Sequence, residues 1–581
     1  MASCFHRAGW RRPLFELLLG FALVFPLAAT GAESARTPEV VPPIQTRPPS
    51  SLPGGALGGA TAPAQAPADN FMLSVEGAGG SGVATQAPAA DFVLSAVAIR
   101  GATIFSNSEL EPAYREYLGR RVGTAEVTQI IERITAKYRA AGFFLSHAVA
   151  SRQPLPGGAL EVRVIEGYIE KVTVSSPEPR LGEAAQPYAA GITGERPLRL
   201  GTLERAVLVI KDLPGMTFTP SVAPIDEAAG RYELVLTVDP KPVSGSFAAD
   251  NRGPRYEGPW ETEASVSLAS VVMPFDELSA SFFTVPNDPR ELVAGGVAYS
   301  APIGSSGLRG SLAAARSSIH PGDYLAFADL RGITDTYIAS LNYPLLRSRT
   351  QSLWLSASFN VVESREDVPD ANFFDDRLRV FRADATYLAI DPWGGNTRGF
   401  AQVSQGLNSL GASPVDSASL STPNGHAGFT KVVASLTHEH PLFGDFAVFL
   451  DLAGQKSWQP LLVSEQFSLG GARFGRGYDP AELLGDDALA GAVELRYGHA
   501  MEWGLLRAFQ LYGFYDLGAV WNHDPGNFIR RASLASAGGG MRLTLAQDIF
   551  LSLEVAKPLT RPLAPNFDKP VRVFARLAKT F

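Results

Sequence analysis

The sequence predicts an all-β transmembrane barrel of about 16 antiparallel strands, preceded by two small α/β modules. Three observations along the 581 residues support this fold class. An export signal opens the chain, two segments then mix helical and strand periods, and a long C-terminal region alternates apolar and polar side chains up to Phe581. Together they indicate an exported protein whose C-terminal part lies in a membrane.

Residues 1–32 have the features of a secretory signal peptide. Arg7, Arg11 and Arg12 precede an apolar stretch at 17–29, and small residues follow it up to Ala32. The apolar stretch is shorter than the roughly 20 residues that a membrane-spanning helix needs. We therefore expect it to be cleaved rather than to serve as an anchor.

The composition narrows the classes of function. Cys4 is the only cysteine and lies in the signal, so the exported chain can form neither a disulfide nor a thiolate metal site. The formal net charge is −8 and no Lys/Arg run is present, so we expect no nucleic-acid partner. We find no nucleophile elbow and no phosphate-binding lysine loop, and we expect no enzyme activity and no cofactor.

The composition and the residue patterns divide the chain into five parts, the last of which contains an inserted loop. In chain order they are the signal peptide (1–32), a linker rich in proline, alanine and glycine (33–90), a first module (91–168), a second module (169–242), and a barrel (243–581) with an inserted loop (458–489).

The first module follows the order strand, helix, helix, strand, strand. Ser106 opens a short helix, and Thr124 caps a longer one whose apolar residues recur at helical spacing. Gly142 supplies the C-cap of this longer helix. The second module repeats the order loosely, with one helix near residues 202–213, and Pro242 marks its end.

The barrel region is the strongest physical signal in the sequence. Its segments alternate apolar and polar residues between turns of Gly, Pro, Asn and Asp, as an apolar-out, polar-in barrel in lipid requires. A soluble sandwich can show the same alternation, but the export signal favours the barrel. We place the strand starts near residues 244, 260, 277, 291, 306, 331, 351, 376, 398, 427, 444, 489, 508, 534, 549 and 571. The inserted loop shows no strand pattern of its own.

Four motifs in this order resemble a known family. They are Tyr138-Arg-Ala-Ala-Gly142-Phe with Gln153, Glu166 and Gly167 in the first module, Leu213-Pro-Gly215 in the second, Gly470 to Tyr478 (containing Arg476 and Gly477) in the loop, and Phe514-Tyr-Asp516-Leu-Gly518 in a barrel strand. The chain resembles two-partner secretion transporters of the ShlB/FhaC/HecB type, in the superfamily that includes BamA. The two modules resemble POTRA domains.

The resemblance implies an outer-membrane transporter that secretes an unfolded partner exoprotein of the adhesin or cytolysin type. The POTRA domains would capture this cargo in the periplasm and the barrel would conduct it, with activation of the cargo as a second role open to this class. Expected partners also include outer-membrane lipid and lipopolysaccharide, and periplasmic chaperones and the barrel assembly machinery during biogenesis. Two alternatives remain, a BamA-like assembly factor and a diffusion porin.

The loop motif has a physical use that can be argued without the family. Glycines such as Gly475 and Gly477 let a long loop turn back tightly. Arg476 offers five donors in a planar fork that matches a carboxylate, and Asp516 lies on the polar face of its strand. We expect an Arg476–Asp516 contact that locks the loop inside the barrel, and the family implies the same pairing. The alternative is a solvated Arg476 in a mobile loop.

One histidine pair is a candidate for metal binding. His438 and His440 lie on one face of a predicted strand, but no third ligand is nearby in sequence and the spacing is not that of a helical His-Glu-x-x-His motif. We therefore predict no metal site.

Overall fold

The computed structural model describes residues 74–75, 91–151, 155–369, 371–415, 417–523, 530–563 and 565–581. The signal peptide, the linker apart from residues 74–75, and Gln153 lie outside the described residues. Within the described ranges, no helix is long and apolar enough to cross a bilayer.

The first module is a small sheet covered by one long helix. In chain order the elements are β1 (Ser74–Val75, in the linker), β2 (Phe92–Val93), β3 (Ala96–Arg100), α1 (Asn107–Leu110), β4 (Arg121–Val122), α2 (Thr124–Ala140), β5 (His147–Ala150) and β6 (Ala159–Ile165). The sheet order is β3-β6-β5, with β3 parallel and β5 antiparallel to β6. Val127, Ile130 and Ile134 recur at helical spacing on α2 and are fully buried in the core of this module.

The N-cap of helix α2 lies one residue earlier than predicted. Gly123, not Thr124, is the N-cap, and the Glu126 carboxylate accepts the N–H of Gly123 at 2.8 Å. At the other end Gly142 has a φ of +91°, and the Phe143 N–H donates to the Tyr138 carbonyl at 2.9 Å. This left-handed C-terminal turn is the one predicted for the glycine.

The second module has two helices, so the prediction of one was wrong. Its elements are β7 (Tyr168–Ser175), α3 (Pro179–Ala189), α4 (Leu200–Lys211), β8 (Met216–Asp226) and β9 (Arg231–Pro240). Helix α3 contains Gly182 and Pro187, which are both poor helix formers. For this reason the sequence does not predict a helix here. Packing offsets that cost, because Leu181, Ala185 and Tyr188 bury one face of α3 in the module core.

Sixteen strands close into a barrel, which confirms the prediction. The strands from here to the C-terminus, two of them in the inserted loop, are β10 (Val243–Asp250), β11 (Glu261–Ala269), β12 (Glu277–Thr284), β13 (Leu292–Pro302), β14 (Arg309–Ile319), β15 (Arg331–Arg347), β16 (Gln351–Val368), β17 (Ala371–Ile390), β18 (Asn396–Gly406), β19 (Thr430–Pro441), β20 (Phe446–Ser457), β21 (Phe467–Leu469), β22 (Leu483–Gly485), β23 (Asp487–Trp503), β24 (Leu506–Trp521), β25 (Arg531–Leu545), β26 (Ile549–Pro558) and β27 (Arg572–Thr580). The largest difference between a predicted and an observed strand start is at β17, which begins at Ala371 rather than near residue 376.

The first and last strands pair to close the barrel. β10 and β27 run antiparallel, with Asp250 opposite Arg576, and the Arg576 guanidinium donates to the Asp250 carboxylate at 2.7 Å. Closure satisfies the backbone groups that an open sheet edge would expose to lipid.

The predicted alternation sets which side chains face the lumen. On β24, Tyr512, Phe514 and Asp516 are buried inside, whereas Leu511 and Tyr515 are 45% and 44% exposed on the outer surface. Because β10 follows the second module directly, the turns after every second strand lie at the end of the barrel that carries the modules. We call this the module end; its turns include residues 270–276, 348–350, 391–395 and 442–445.

Candidate functional site

The inserted loop packs onto the inside of the barrel wall. Leu469 and Tyr478 of the loop share a buried cluster with Ala490 of β23 and Leu534 of β25. The loop also forms its own hairpin from β21 and β22, so the prediction that it lacks strands was wrong. A short hairpin of three residues per strand is too brief to show a period in the sequence.

Arg476 of the loop meets Asp516 of β24, as the sequence predicts. The backbone N–H of Arg476 donates to Oδ2 of Asp516 at 3.0 Å, Nε donates to the same oxygen at 3.0 Å, and Nη2 donates to Oδ1 at 2.7 Å. Asp516 is fully buried and Arg476 is 3% exposed. The pair is therefore a buried, bidentate ion pair rather than one exposed to solvent.

Two further carboxylates complete the site, and the sequence did not reveal them. Nη1 of Arg476 donates to Glu494 of β23 at 2.5 Å and lies 3.5 Å from the Glu554 carboxylate of β26. The ring of Phe514 lies under the guanidinium, with 3.5 Å from its centroid to Cζ. One cation thus contacts three barrel strands. We call Arg476, Asp516, Glu494 and Glu554 the loop lock.

A second group of cations balances the charge of the loop lock. Arg496 donates to Glu494 at 2.7 Å, Arg542 donates to it at 3.2 Å, and Arg252 donates to Glu554 at 2.6 Å. Buried charges are costly unless they are paired and hydrogen-bonded, and here each carboxylate has at least one cationic partner.

Glycines let the loop lie directly against the wall. A Cβ on Gly477 would lie 2.6 Å from the backbone nitrogen of Pro558, and one on Gly518 would lie 2.8 Å from Cδ1 of Leu469. At Gly477 the backbone of the wall leaves no space for a side chain, whereas at Gly518 a side chain would require Leu469 of the loop to move.

Tyr478 and Asp479 anchor the loop to the final hairpin of the barrel. The Tyr478 hydroxyl accepts backbone N–H groups of Thr560 at 3.2 Å and Arg561 at 2.9 Å. Arg572 of β27 donates to Asp479 at 2.6 Å. The loop is thus also held directly after Arg476, by contacts with a second part of the barrel.

Glu166 of the predicted motif ties together two parts of the first module, the segment after β3 and the C-terminal end of α2. The Glu166 carboxylate accepts the Thr103 N–H at 2.7 Å, the Ile104 N–H at 3.1 Å and the Tyr138 hydroxyl at 2.8 Å. Burial, helped by this bond to Glu166, raises the pKa of Tyr138 above its usual range.

Gly142 and Gly167 connect the two modules through their backbones. The Gly142 carbonyl accepts the Leu200 N–H at 2.8 Å, and the Gly167 carbonyl accepts the Leu198 N–H at 3.0 Å. A Cβ on Gly167 would lie 2.5 Å from the carbonyl oxygen of Leu145. These two motif residues therefore lie at the contact between the modules.

The histidine pair has a neighbour that the sequence did not place there. Asp391, in the turn between β17 and β18, lies with its carboxylate beside His438 and His440 of β19. Forty-seven residues separate Asp391 from His438, so only the pairing of β17, β18 and β19 shows this proximity.

A closed barrel whose lumen holds a salt-bridged loop, with two small α/β modules at one end, defines the class of POTRA-bearing outer-membrane barrels. A family model described as haemolysin secretion/activation protein ShlB/FhaC/HecB matches residues 233–543, and a model of the ShlB-type POTRA domain matches residues 92–167. The chain belongs to the ShlB/FhaC/HecB family. It is an outer-membrane transporter that secretes a partner protein, with its POTRA domains in the periplasm.

Individual relatives agree with this assignment. The chain is 25% identical over 440 residues to the outer membrane transporter CdiB of Dickeya dadantii, covering 73% of this chain and 75% of that protein. It is 21% identical over 500 residues to the heme/hemopexin transporter protein HuxB of Haemophilus influenzae, covering 81% and 84%.

Solved structures share the fold. CdiB from Escherichia coli has a TM-score of 0.66 at 19% identity, covering 86% of this chain and 92% of that one. BamA from Haemophilus ducreyi lacking POTRA domains 1–3 has a TM-score of 0.51 at 13% identity, covering 84% and 100%. BamA is a structural relative, and the assembly-factor alternative is not supported by the family match.

Proposed function

We propose that this transporter secretes its partner in unfolded form through the barrel lumen, and that the loop lock holds the resting, closed state. The observation that carries the proposal is the burial of Arg476 among Asp516, Glu494 and Glu554 inside the barrel. A loop fixed across three strands occupies space that a polypeptide would need. Secretion therefore requires the loop to move.

Cargo capture is assigned to the POTRA sheets. An exposed sheet edge can add an extended peptide strand through backbone hydrogen bonds, with side-chain pockets giving selectivity. Support comes from β8 of the second module, where the linker strand β1 adds in parallel, with Ser74 opposite Ser221 and Val75 opposite Val222. The pairing of this extended linker segment with β8 supports the same mode of binding for a cargo segment.

The other expected partners are the lipids around the barrel and the proteins that assemble it. Outer-membrane lipid and lipopolysaccharide contact the apolar outer face, and periplasmic chaperones and the assembly machinery act before the barrel closes. We expect no cofactor and no enzymatic step. Transport then draws on folding of the exported partner outside the cell.

The test asks whether secretion depends on the first module, which a diffusion porin would not need. A variant lacking residues 91–168 is coexpressed with the partner exoprotein of this transporter, and the secreted partner is measured in the medium. We expect secretion to stop while the barrel keeps its heat-modifiable mobility in outer-membrane fractions. Secretion at the level of the intact chain would contradict a role of the first module in cargo capture.

A further inference from the structure

We propose that Asp391, His438 and His440 form a binding site for a divalent transition metal such as Zn²⁺ at the periplasmic end of the barrel. The carboxylate oxygen and the two ring nitrogens all lie within 4.8 Å of one another. Two imidazoles and one carboxylate are a common protein ligand set for Zn²⁺, which leaves a fourth position for water. This proposal replaces our expectation from the sequence that the chain holds no metal.

The three ligands are brought together by the barrel and not by the sequence. His438 and His440 are alternate residues of β19, so both side chains lie on one face, and their rings stack 5.8 Å apart. Asp391 comes from the turn that follows β17, two strands away. A metal bound here would link β19 to the β17–β18 turn.

Two of the three ligands, Asp391 and His438, are held by hydrogen bonds in orientations that leave a donor atom for the metal. Oδ1 of Asp391 accepts the backbone N–H groups of Trp393 at 2.9 Å and Gly395 at 2.8 Å. Nδ1 of His438 is hydrogen-bonded to the Thr397 hydroxyl at 2.9 Å, which leaves Nε2 for coordination. Such bonds from the second ring nitrogen or the second oxygen are the usual means of orienting metal ligands.

The third ligand supplies an independent observation. Among the described residues, Nδ1 of His440 is buried and has no hydrogen-bond partner. Buried polar atoms are paired in more than about nine cases in ten, so an unpaired ring nitrogen on a histidine that lies beside a second histidine and a carboxylate calls for a partner. A metal ion would be that partner.

The backbone leaves room at the point where the ligands converge. A Cβ on Gly395 would lie 2.5 Å from Oδ2 of Asp391 and 3.0 Å from Cε1 of His438. Tetrahedral Zn²⁺ with bonds of about 2.0–2.1 Å places its donors roughly 3.3 Å apart, which small side-chain rotations reach from the observed positions.

The site lies on the outer surface of the barrel, at the level of the membrane interface. Glu439, between the two histidines, points into the lumen, where Arg496 donates to it. The histidines therefore face outward, near the aromatic pair of Phe446 and Tyr497, whose centroids are 5.0 Å apart. Aromatic side chains of this kind mark the interface of an outer-membrane barrel.

The experiment titrates ZnCl₂ into the purified full-length protein in detergent, without a polyhistidine tag, by isothermal calorimetry. We expect one saturable site, and the His438→Ala, His440→Ala and Asp391→Asn variants should each bind at least about tenfold more weakly. Co²⁺ added to the intact chain should give the visible absorption bands of a tetrahedral site, and the His440→Ala variant should lose them.

The matched control is His499→Ala. His499 pairs with Asp445 at 2.9 Å at the same end of the barrel, but this pair offers two ligands rather than three. The control should keep the affinity of the intact chain, and heat-modifiable mobility verifies that every variant is folded. The absence of saturable Zn²⁺ binding, or unchanged affinity in folded His438→Ala and His440→Ala variants, would overturn the proposal.

Discussion

At the scale of single residues, the position of the inserted loop depends on one buried cation. Arg476 is almost fully desolvated, and its pairing with Asp516 and Glu494 compensates the cost of burial. Removing one partner of a buried ion pair typically costs about 3–5 kcal/mol because the other charge is left unpaired. Truncating Arg476 would leave carboxylates without their shared partner.

We expect the Arg476→Ala variant to lose secretion while the barrel remains in the membrane. Without Arg476 the loop loses its contacts with Asp516 and Glu494, so the closed state should open and pore conductance in planar lipid bilayers should rise. Secretion should nevertheless fall, because a detached loop has no defined position in the lumen and obstructs the cargo; the secreted partner in the medium measures this effect. The matched control is Arg290→Ala, whose side chain is 83% exposed and pairs with Asp288 two residues away. Full secretion by Arg476→Ala would show that the lock has no role in transport.

Glu166 makes a comparable contribution in the first module, on a smaller scale. Its carboxylate joins Thr103, Ile104 and Tyr138, so Glu166→Ala should loosen the segment after β3 and the C-terminal end of α2. Hydrogen–deuterium exchange of the full chain should be faster there. Tyr138→Phe removes one of these bonds and should have a smaller effect, about 0.5–1.5 kcal/mol in local opening. Equal exchange in all three proteins would contradict this role.

At the scale of elements, two motif positions require glycine for different physical reasons. Gly142 needs a positive φ of +91°, but a Cβ there would meet no atom within 4 Å. Gly167 has no positive φ, yet a Cβ there would collide with the backbone of Leu145. The first position is constrained by conformation and the second by contact.

The Gly142→Ala and Gly167→Ala variants should therefore differ. Gly142→Ala should cost about 1–2 kcal/mol of backbone strain and leave secretion largely intact. Gly167→Ala must shift the joint between the modules, so we expect a clear fall in secretion. Quantified partner protein in the medium, with equal amounts of transporter in the membrane, checks the order. A larger loss in Gly142→Ala would reverse our assignment.

At the scale of the whole molecule, the second module is docked onto the periplasmic turns of the barrel. Phe275, in the turn after β11, is buried in the core of the second module and packs edge-on against Tyr188 at 6.1 Å between centroids. The Arg347 guanidinium of β15 donates to both oxygens of Asp212 at 2.8 and 2.9 Å. Both contacts hold the second module at the barrel rim.

Exchanging the charges of that ion pair tests the docking. Arg347→Asp and Asp212→Arg should each increase hydrogen–deuterium exchange in α4 and in the 348–350 turn, and the double variant should recover part of the protection. We expect a coupling of about 0.5–3 kcal/mol, as for residues in direct contact. The control pair Arg316 and Asp335, which joins two neighbouring barrel strands, should leave exchange in α4 unchanged. Absence of coupling would mean that apolar packing alone docks the module.

The sequence by itself determined the barrel and its strand number, because side chains alternate along a strand with a period of two. It also determined the Arg476–Asp516 contact, because both residues lie in short motifs that can be recognised locally. It did not reveal α3, since Pro187 and Gly182 hide a helix that packing stabilises. Glu494, Glu554 and the meeting of Asp391 with His438 were decided by tertiary structure. Alternation tells which side chains face inward or outward, but the register of strands distant in sequence decides which of them meet.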